Sequence, residues 1–207
     1  MRGQILEREL IYAWIAGSIG RMLKKDYLLF KLNTREETIS HRLATYLEKN
    51  LEMTGKIGFN LGVSFGKFSV DCEYDRYGGG EKETESELKS LALDRYKTGV
   101  SCRDEKIVRP DIVVHERGTE SANFLVAELK KASGSKKEYA RDKVEVFVKS
   151  NKYHYDYGLY LEFKTGQQIK ENKIIKQAIV SNRFNMPCVN LTQRIIGALE
   201  DQQEEIV

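Results

Sequence analysis

Cysteine and proline are scarce in this chain of 207 residues, which contains three cysteines and two prolines. Cys72, Cys102 and Cys188 are far apart and form no Cys-x-x-Cys pair, so neither a disulfide framework nor a structural zinc site is expected. Isolated thiols are typical of a reducing compartment, and we predict a cytoplasmic protein. Two prolines leave no proline-rich linker, so a single domain over residues 1–207 is expected.

Long apolar runs are also missing. The longest extends from Leu10 to Ala16, far short of the roughly 20 residues that span a bilayer, and Glu7 and Glu9 before it do not fit a signal peptide. No membrane association is therefore expected. Lys and Arg number 34 and Asp and Glu 31, which gives a formal net charge of only +3. This balance permits nucleic-acid binding through a local patch, but it does not indicate such binding by itself.

Hydrophobic periodicity predicts an α/β arrangement, with a central mixed β-sheet flanked by helices. The predicted elements are helices at about Gln4–Lys25 and Arg35–Leu51, a strand-rich stretch at Lys56–Tyr74, a helix at Ser86–Lys97, strands at Asp111–His115 and Phe124–Lys130, a helix from Ser135 to Lys149, and a strand at Tyr155–Phe163. We expect a core of about residues 34–163. Residues 1–33 form an N-terminal helical extension, and residues 170–207 form C-terminal helices around a short extended piece near Pro187–Leu191.

The second helix has a capping-box pattern at its start, because Glu37 follows Thr34 by three residues. His41 lies one turn after Glu37, so the two side chains share a face that differs from the buried stripe of this helix. We interpret His41 as a surface histidine, with a phosphate contact as the alternative.

Chemically active residues are concentrated in the two strands of a predicted hairpin. Asp111 opens the first strand, and Glu128 and Lys130 close the second. Side chains alternate along a strand, so Glu128 and Lys130 share a face with Phe124 and Val126. Burying a lone carboxylate or ammonium is costly, and a charged partner or a metal ion is expected there. The plainer alternative is an exposed strand end with a same-face ion pair.

Asp111 and Glu128 side by side would repel each other, and a hard divalent cation relieves that repulsion. Mg²⁺, or Mn²⁺ in its place, is typically held by one or two carboxylates together with waters and a substrate phosphate. Such an ion polarises the phosphate and lowers the pKa of a bound water. Lys130 would orient or deprotonate that water, or neutralise charge in the transition state, and a nearby cation would lower its pKa.

The pattern Pro110-Asp111 with Glu128-Leu129-Lys130 resembles the PD-(D/E)XK nuclease superfamily. The stretches Glu37–Ala44, Val70–Arg76 and Val108–His115 resemble an uncharacterised bacterial branch of it. The resemblance implies a restriction-endonuclease-like core with extra N- and C-terminal helices. It also implies a Mg²⁺- or Mn²⁺-dependent nuclease, expected to be a DNA endonuclease. An acidic residue on the first core helix joins the metal site in such proteins, which points here to Glu37.

Four further residues are candidates for the site. Glu73 would approach the metal from the neighbouring strand, or it belongs to a solvated strand face. Arg76 is a candidate phosphate ligand, with an ordinary exposed arginine as the alternative. Lys131 and Lys143 lie in the densest basic stretch and would contact the nucleic-acid backbone. Most of that stretch is otherwise a solvated helix face.

Three functions are compatible with these residues. The first is a metal-dependent endonuclease that works as a homodimer, since two sites facing opposite strands allow double-strand cleavage. The second is a non-catalytic nucleic-acid-binding or regulatory module on the same fold, because a fold does not fix an activity. The third is a defence effector nuclease that a partner activates, with a separate regulatory or specificity subunit.

Overall fold

In the part of the chain that the structure describes, six strands form a mixed β-sheet with helices on both faces, which is the predicted α/β architecture. The structure is a computed structural model that describes residues 2–60, 68–72, 110–117, 123–149, 153–170, 173–184 and 186–197. The helices are α1 (Arg2–Lys25), α2 (Tyr27–Lys31), α3 (Glu36–Asn60) and α4 (Lys137–Lys149), with a 3-10 turn at Gly166–Gln168 and further helical residues at 192–197. The strands are β1 (Ser69–Cys72), β2 (Ile112–His115), β3 (Asn123–Lys131), β4 (Tyr157–Phe163), β5 (Ile175–Asn182) and β6 (Val189–Asn190).

The strands lie across the sheet in the order in which they occur in the chain. β3 and β4 are parallel, and every other neighbouring pair is antiparallel. Parallel strands need a crossover connection, which α4 provides between β3 and β4. The carboxyl ends of these two strands therefore lie at one edge of the sheet, and the chain enters α4 from that edge.

The two faces of β3 bury different side chains. Leu125, Ala127 and Leu129 lie in the main core with residues of α1 and α3. Val126 lies on the opposite face, in a smaller cluster with Phe147 of α4. The alternation along β3 thus separates a face covered by α1 and α3 from a face covered by α4.

A local irregularity moves Phe124 to the main core. Val114 pairs with Leu125 and His115 pairs with Asn123, so β3 has one extra residue there. Phe124 packs against Phe68, with ring centroids 4.6 Å apart. The sequence prediction that Phe124 shares the face of Val126 is wrong, because the extra residue interrupts the period of two.

α1 is 24 residues long and packs on α3 through a buried stripe. Ile11, Ile15, Ile19 and Met22 form this stripe and are fully buried. Within the part of the chain that the structure describes, no helix has both the length and the apolar character that crossing a membrane requires.

Two predicted segments need correction. α3 continues to Asn60, so the predicted strand-rich stretch does not begin at Lys56. Residues 175–182, predicted to be helical, form β5, which pairs with β4. A short apolar run such as Ala178-Ile-Val is ambiguous by periodicity alone, and here pairing with β4 makes it a strand. The predicted helix at Ser86–Lys97 lies outside the described residues.

Gly158 of β4 lies where α4 approaches the sheet most closely. A Cβ at this position would collide with Val144 Cγ1 and would lie 2.7 Å from Val148 Cγ2 and 2.9 Å from Ser181 Oγ. We expect Gly158→Ala to lower the free energy of unfolding by about 1–3 kcal/mol, because the helix must move away from the sheet. Urea denaturation measures this change.

Gly17→Ala on α1 is the matched control for Gly158→Ala. Gly17 is exposed, and a Cβ there would meet nothing within 4 Å. Alanine stabilises an exposed helix position by up to about 1 kcal/mol relative to glycine. Equal destabilisation by the two substitutions would contradict the assigned packing of α4.

Candidate active site

Asp111 lies directly before β2 and beside Glu128. Ile112 pairs with Ala127 in the antiparallel register, so the residue before Ile112 and the residue after Ala127 are neighbours. Asp111 Oδ2 accepts a hydrogen bond of 2.7 Å from the amide of Leu129. The structure thus brings together the two carboxylates that the hairpin prediction placed side by side.

Glu128 is a buried carboxylate, with 2% of its surface exposed. Its Oε1 lies 2.5 Å from Lys143 Nζ, which projects from α4 onto the same face of the sheet. Burial raises the pKa of Glu128 to about 7, although the Lys143 ammonium opposes this rise, and the negative charge of Asp111 adds to it. Burial also raises the pKa of Asp111, against the opposing effects of the Leu129 amide and Lys130.

Lys130 is half-buried at the carboxyl end of β3, and its Nζ donates a hydrogen bond of 3.0 Å to Glu36 Oε2. Burial is the largest single influence on its pKa and lowers it. Asp111, Glu36 and Glu128 together outweigh that influence, so the pKa of Lys130 is raised. The lowered pKa that the sequence suggested depends on a nearby cation. Without one, the surrounding carboxylates hold the Lys130 amine in its protonated form.

Glu36, and not Glu37, is the acidic residue that α3 contributes to this site. Glu36 Oε1 accepts a hydrogen bond of 2.8 Å from the Lys131 amide, while its Oε2 contacts Lys130. Glu37 is exposed. The family resemblance pointed to Glu37, with a capping-box role for this residue as the alternative. The Thr34 hydroxyl donates to the Leu29 carbonyl, and α3 begins at Glu36.

The apolar stripe of α3 is the sequence signal that could have identified Glu36. Ile39, Leu43 and Leu47 are fully buried. Glu36 precedes them at helical spacing, so it lies on the same face of α3 and points toward the sheet. Glu37 is rotated away from that face by about 100°.

The other nucleic-acid-binding candidates lie in different environments. His41 is exposed on α3, one turn beyond Glu37. Lys131 lies at the site, but its Nζ donates to the carbonyl and side-chain oxygens of Asn33, at 3.2 and 3.0 Å. Arg76 lies outside the described residues, as does the metal-site candidate Glu73.

A second buried glutamate, Glu162 of β4, lies in register with Lys130 of β3. Its Oε1 is 3.0 Å from Lys176 Nζ and 3.2 Å from Lys137 Nζ. The sequence prediction missed Glu162, although a lone glutamate in the apolar run Tyr157–Phe163 is the same kind of signal that identified Glu128. The row of paired charges therefore continues from β3 onto β4.

Two of the four predicted metal-binding carboxylates, those of Asp111 and Glu128, lie together here. Glu37 is exposed on another face of α3, and Glu73 lies outside the described residues. Among the described residues, no three His, Cys, Asp or Glu side chains form a group that could hold a metal ion. Two carboxylates are nevertheless sufficient for Mg²⁺, which keeps several waters and takes substrate phosphates as further ligands.

Comparison with known proteins gives no assignment. The chain matches no protein-family model, no curated protein and no solved structure.

The raised pKa of Glu128 predicts how stability depends on pH without divalent cations. An unfolded glutamate titrates near 4.5, and the folded one titrates near 7. Between these two pH values, Glu128 is protonated in the folded state and ionised in the unfolded state. The free energy of unfolding therefore falls as pH rises from about 4.5 to about 7. Thermal denaturation in EDTA from pH 4 to 8 should show this slope in the wild type.

The Glu128→Gln variant should lose that part of the slope, because glutamine does not titrate. Only the slope of melting temperature against pH is compared between the two proteins. The substitution also removes the counterion of Lys143, which shifts the melting temperature at every pH. Parallel curves for the two proteins between pH 4.5 and 7 would show that Glu128 does not titrate as described.

Proposed function

We propose that this protein is a Mg²⁺- or Mn²⁺-dependent nuclease of the PD-(D/E)XK type, with a restriction-endonuclease-like fold, acting on DNA. The observation that carries the proposal is the convergence of Asp111, Glu128 and Lys130 at one edge of the sheet. There the β2–β3 hairpin leads into a crossover helix and a parallel strand. A plain ion pair at a strand end does not require a second carboxylate next to a buried one.

The two carboxylates suit a hard divalent cation. Both Asp111 and Glu128 have raised pKa values because burial penalises their charged forms. In the metal-free protein, the Lys143 ammonium partly balances the negative charge of Glu128. A divalent cation held by oxygens of Asp111 and Glu128 would add further positive charge and stabilise the ionised form of both carboxylates. When bound, such an ion polarises a phosphate and makes a coordinated water more acidic.

The remaining residues position and stabilise the reacting groups. Lys130 carries an ammonium that Glu36 holds at the site edge, where it donates to the attacking water or to a phosphate oxygen as negative charge develops. Lys143 pairs with the buried Glu128 carboxylate. If a metal ion balanced the charge of Glu128 instead, the Lys143 ammonium would be suited to a phosphate contact. Electrostatic stabilisation by preorganised donors is often the largest contribution of an active site.

Removing the Lys130 amine separates metal binding from cleavage. We expect Lys130→Ala to bind Mn²⁺ with near wild-type affinity but to cut DNA roughly 100- to 1000-fold more slowly, because the transition state no longer has this charged donor. Asp111→Asn should lose both properties. Calorimetric Mn²⁺ titration and cleavage of labelled single- and double-stranded DNA and RNA measure the two effects.

Lys49→Ala is the matched control for Lys130→Ala. It removes an exposed amine from α3 about 13 residues beyond Glu36, roughly 20 Å along the helix axis. Wild-type protein that binds Mn²⁺ yet cuts no nucleic acid would favour the non-catalytic module instead. Cleavage that persists in EDTA would contradict metal dependence.

Glu36→Gln and Glu37→Gln form a matched pair of adjacent substitutions. Glu36→Gln should lower the cleavage rate about 10-fold or more, since it removes the acceptor that positions Lys130. Glu37→Gln should leave the rate unchanged, because its side chain is exposed on another face of α3. Single-turnover cleavage rates compare the two variants, and the reverse order of effects would contradict the assignment of Glu36.

A further inference from the structure

We infer that α2 and its flanking residues form a nucleic-acid-binding surface that guides an unstacked strand to the active site. This inference depends on the proposed nuclease function and adds the surface that binds the substrate. We call this surface the basic ridge, and it consists of Lys24, Lys25, Leu28, Lys31, Leu32 and Arg35.

The basic ridge projects because α2 is anchored from its other side. Phe30 is fully buried and packs edge-on against Phe163 at the carboxyl end of β4, with ring centroids 5.5 Å apart. Leu28 and Leu32 are four residues apart and share the opposite face, where they are 63% and 71% exposed. α2 therefore presents a pair of leucines to solvent from a rigidly packed base.

Hydrogen bonds connect the basic ridge to the active site. Asn33, which directly follows Leu32, accepts from Lys131 Nζ at 3.0 Å and from the Thr165 hydroxyl at 2.7 Å, both through Oδ1. Three residues further, Glu36 contacts Lys130. A phosphodiester at the two carboxylates would thus have the basic ridge as its neighbour along the strand.

The charge of the basic ridge is complementary to a polyanion. Its four cations are exposed, and the one acid among residues 24–35, Asp26, forms a bidentate pair with Arg42 at 2.9 and 3.0 Å. This concentration contrasts with a net charge of only +3 for the whole chain. Phosphate contacts position a strand without reading its sequence.

The leucines indicate the state of the bound strand. An aliphatic side chain can contact the face of a base only where the bases are unstacked, as in a single strand, a frayed end or a kink. Two exposed leucines between exposed cations therefore favour a single strand or an opened duplex over an intact one.

Binding measurements in EDTA test the basic ridge without cleavage. We expect Lys31→Gln with Arg35→Gln to bind a fluorescent single-stranded oligonucleotide roughly tenfold more weakly. The slope of log affinity against log salt should fall by about 0.7 for each phosphate that the variant no longer neutralises. The control, Lys49→Gln with Lys56→Gln, removes two exposed cations far along α3, where Lys56 is roughly 30 Å from Glu36 along the helix axis.

A second pair of variants tests the leucines. Leu28→Ala with Leu32→Ala should weaken binding to the single strand several-fold and leave binding to a blunt duplex unchanged. Met53→Ala with Ile57→Ala is the control, because these residues have the same spacing on α3 and are 53% and 48% exposed. Circular dichroism checks that all four variants melt like the wild type.

The outcomes distinguish the basic ridge from the nuclease function. Wild-type affinity in both ridge variants, with metal-dependent cleavage intact, would overturn the ridge and leave the proposed function standing. Wild-type protein that neither binds nor cuts nucleic acid would overturn both. A ridge that binds anionic phosphatidylglycerol vesicles and no oligonucleotide would show a lipid surface to be its partner, which also overturns the inference.

Discussion

Burial of the Glu128 carboxylate is the constraint on which the rest of the site depends. A buried carboxylate needs a positive partner at close range when it is ionised. Lys143 provides it at 2.5 Å from α4, which packs closely on the sheet. Gly158 permits that close approach, since any side chain there would meet Val144 and Val148. Gly158 on β4 thus helps to place the positive partner of Glu128 on β3.

The site also joins the two helical layers of the protein. Lys143 belongs to α4 on one face of the sheet, and Glu36 belongs to α3, which packs on the other face. The two helical layers meet at the carboxyl end of β3. There Lys130 contacts Glu36, while the backbone of Lys131 binds the same carboxylate. Rigid elements on both sides therefore hold the charged groups, as a preorganised site requires.

The sequence predicted the local elements of the site better than its long-range partners. The hairpin of β2 and β3 follows from strand periodicity, and it places Asp111 beside Glu128 without further information. Glu36 required knowledge of which face of α3 meets the sheet, and the family resemblance pointed to its neighbour Glu37 instead. The extra residue at Phe124 and the strand β5 are decided by pairing with other strands, which single-sequence periodicity does not encode.

The charges of this cluster are consistent with the proposed binding of a divalent cation and a phosphodiester. Three carboxylates, on Glu36, Asp111 and Glu128, face two ammonium groups, on Lys130 and Lys143. With every group ionised the cluster carries one net negative charge, and protonation of Glu128 removes it, in agreement with its raised pKa. Under the proposed function, a divalent cation would leave one net positive charge, which is the complement of a single phosphodiester. The protein alone would keep the cluster near neutrality through a proton, and a metal-loaded cluster would reach neutrality only with a phosphodiester bound.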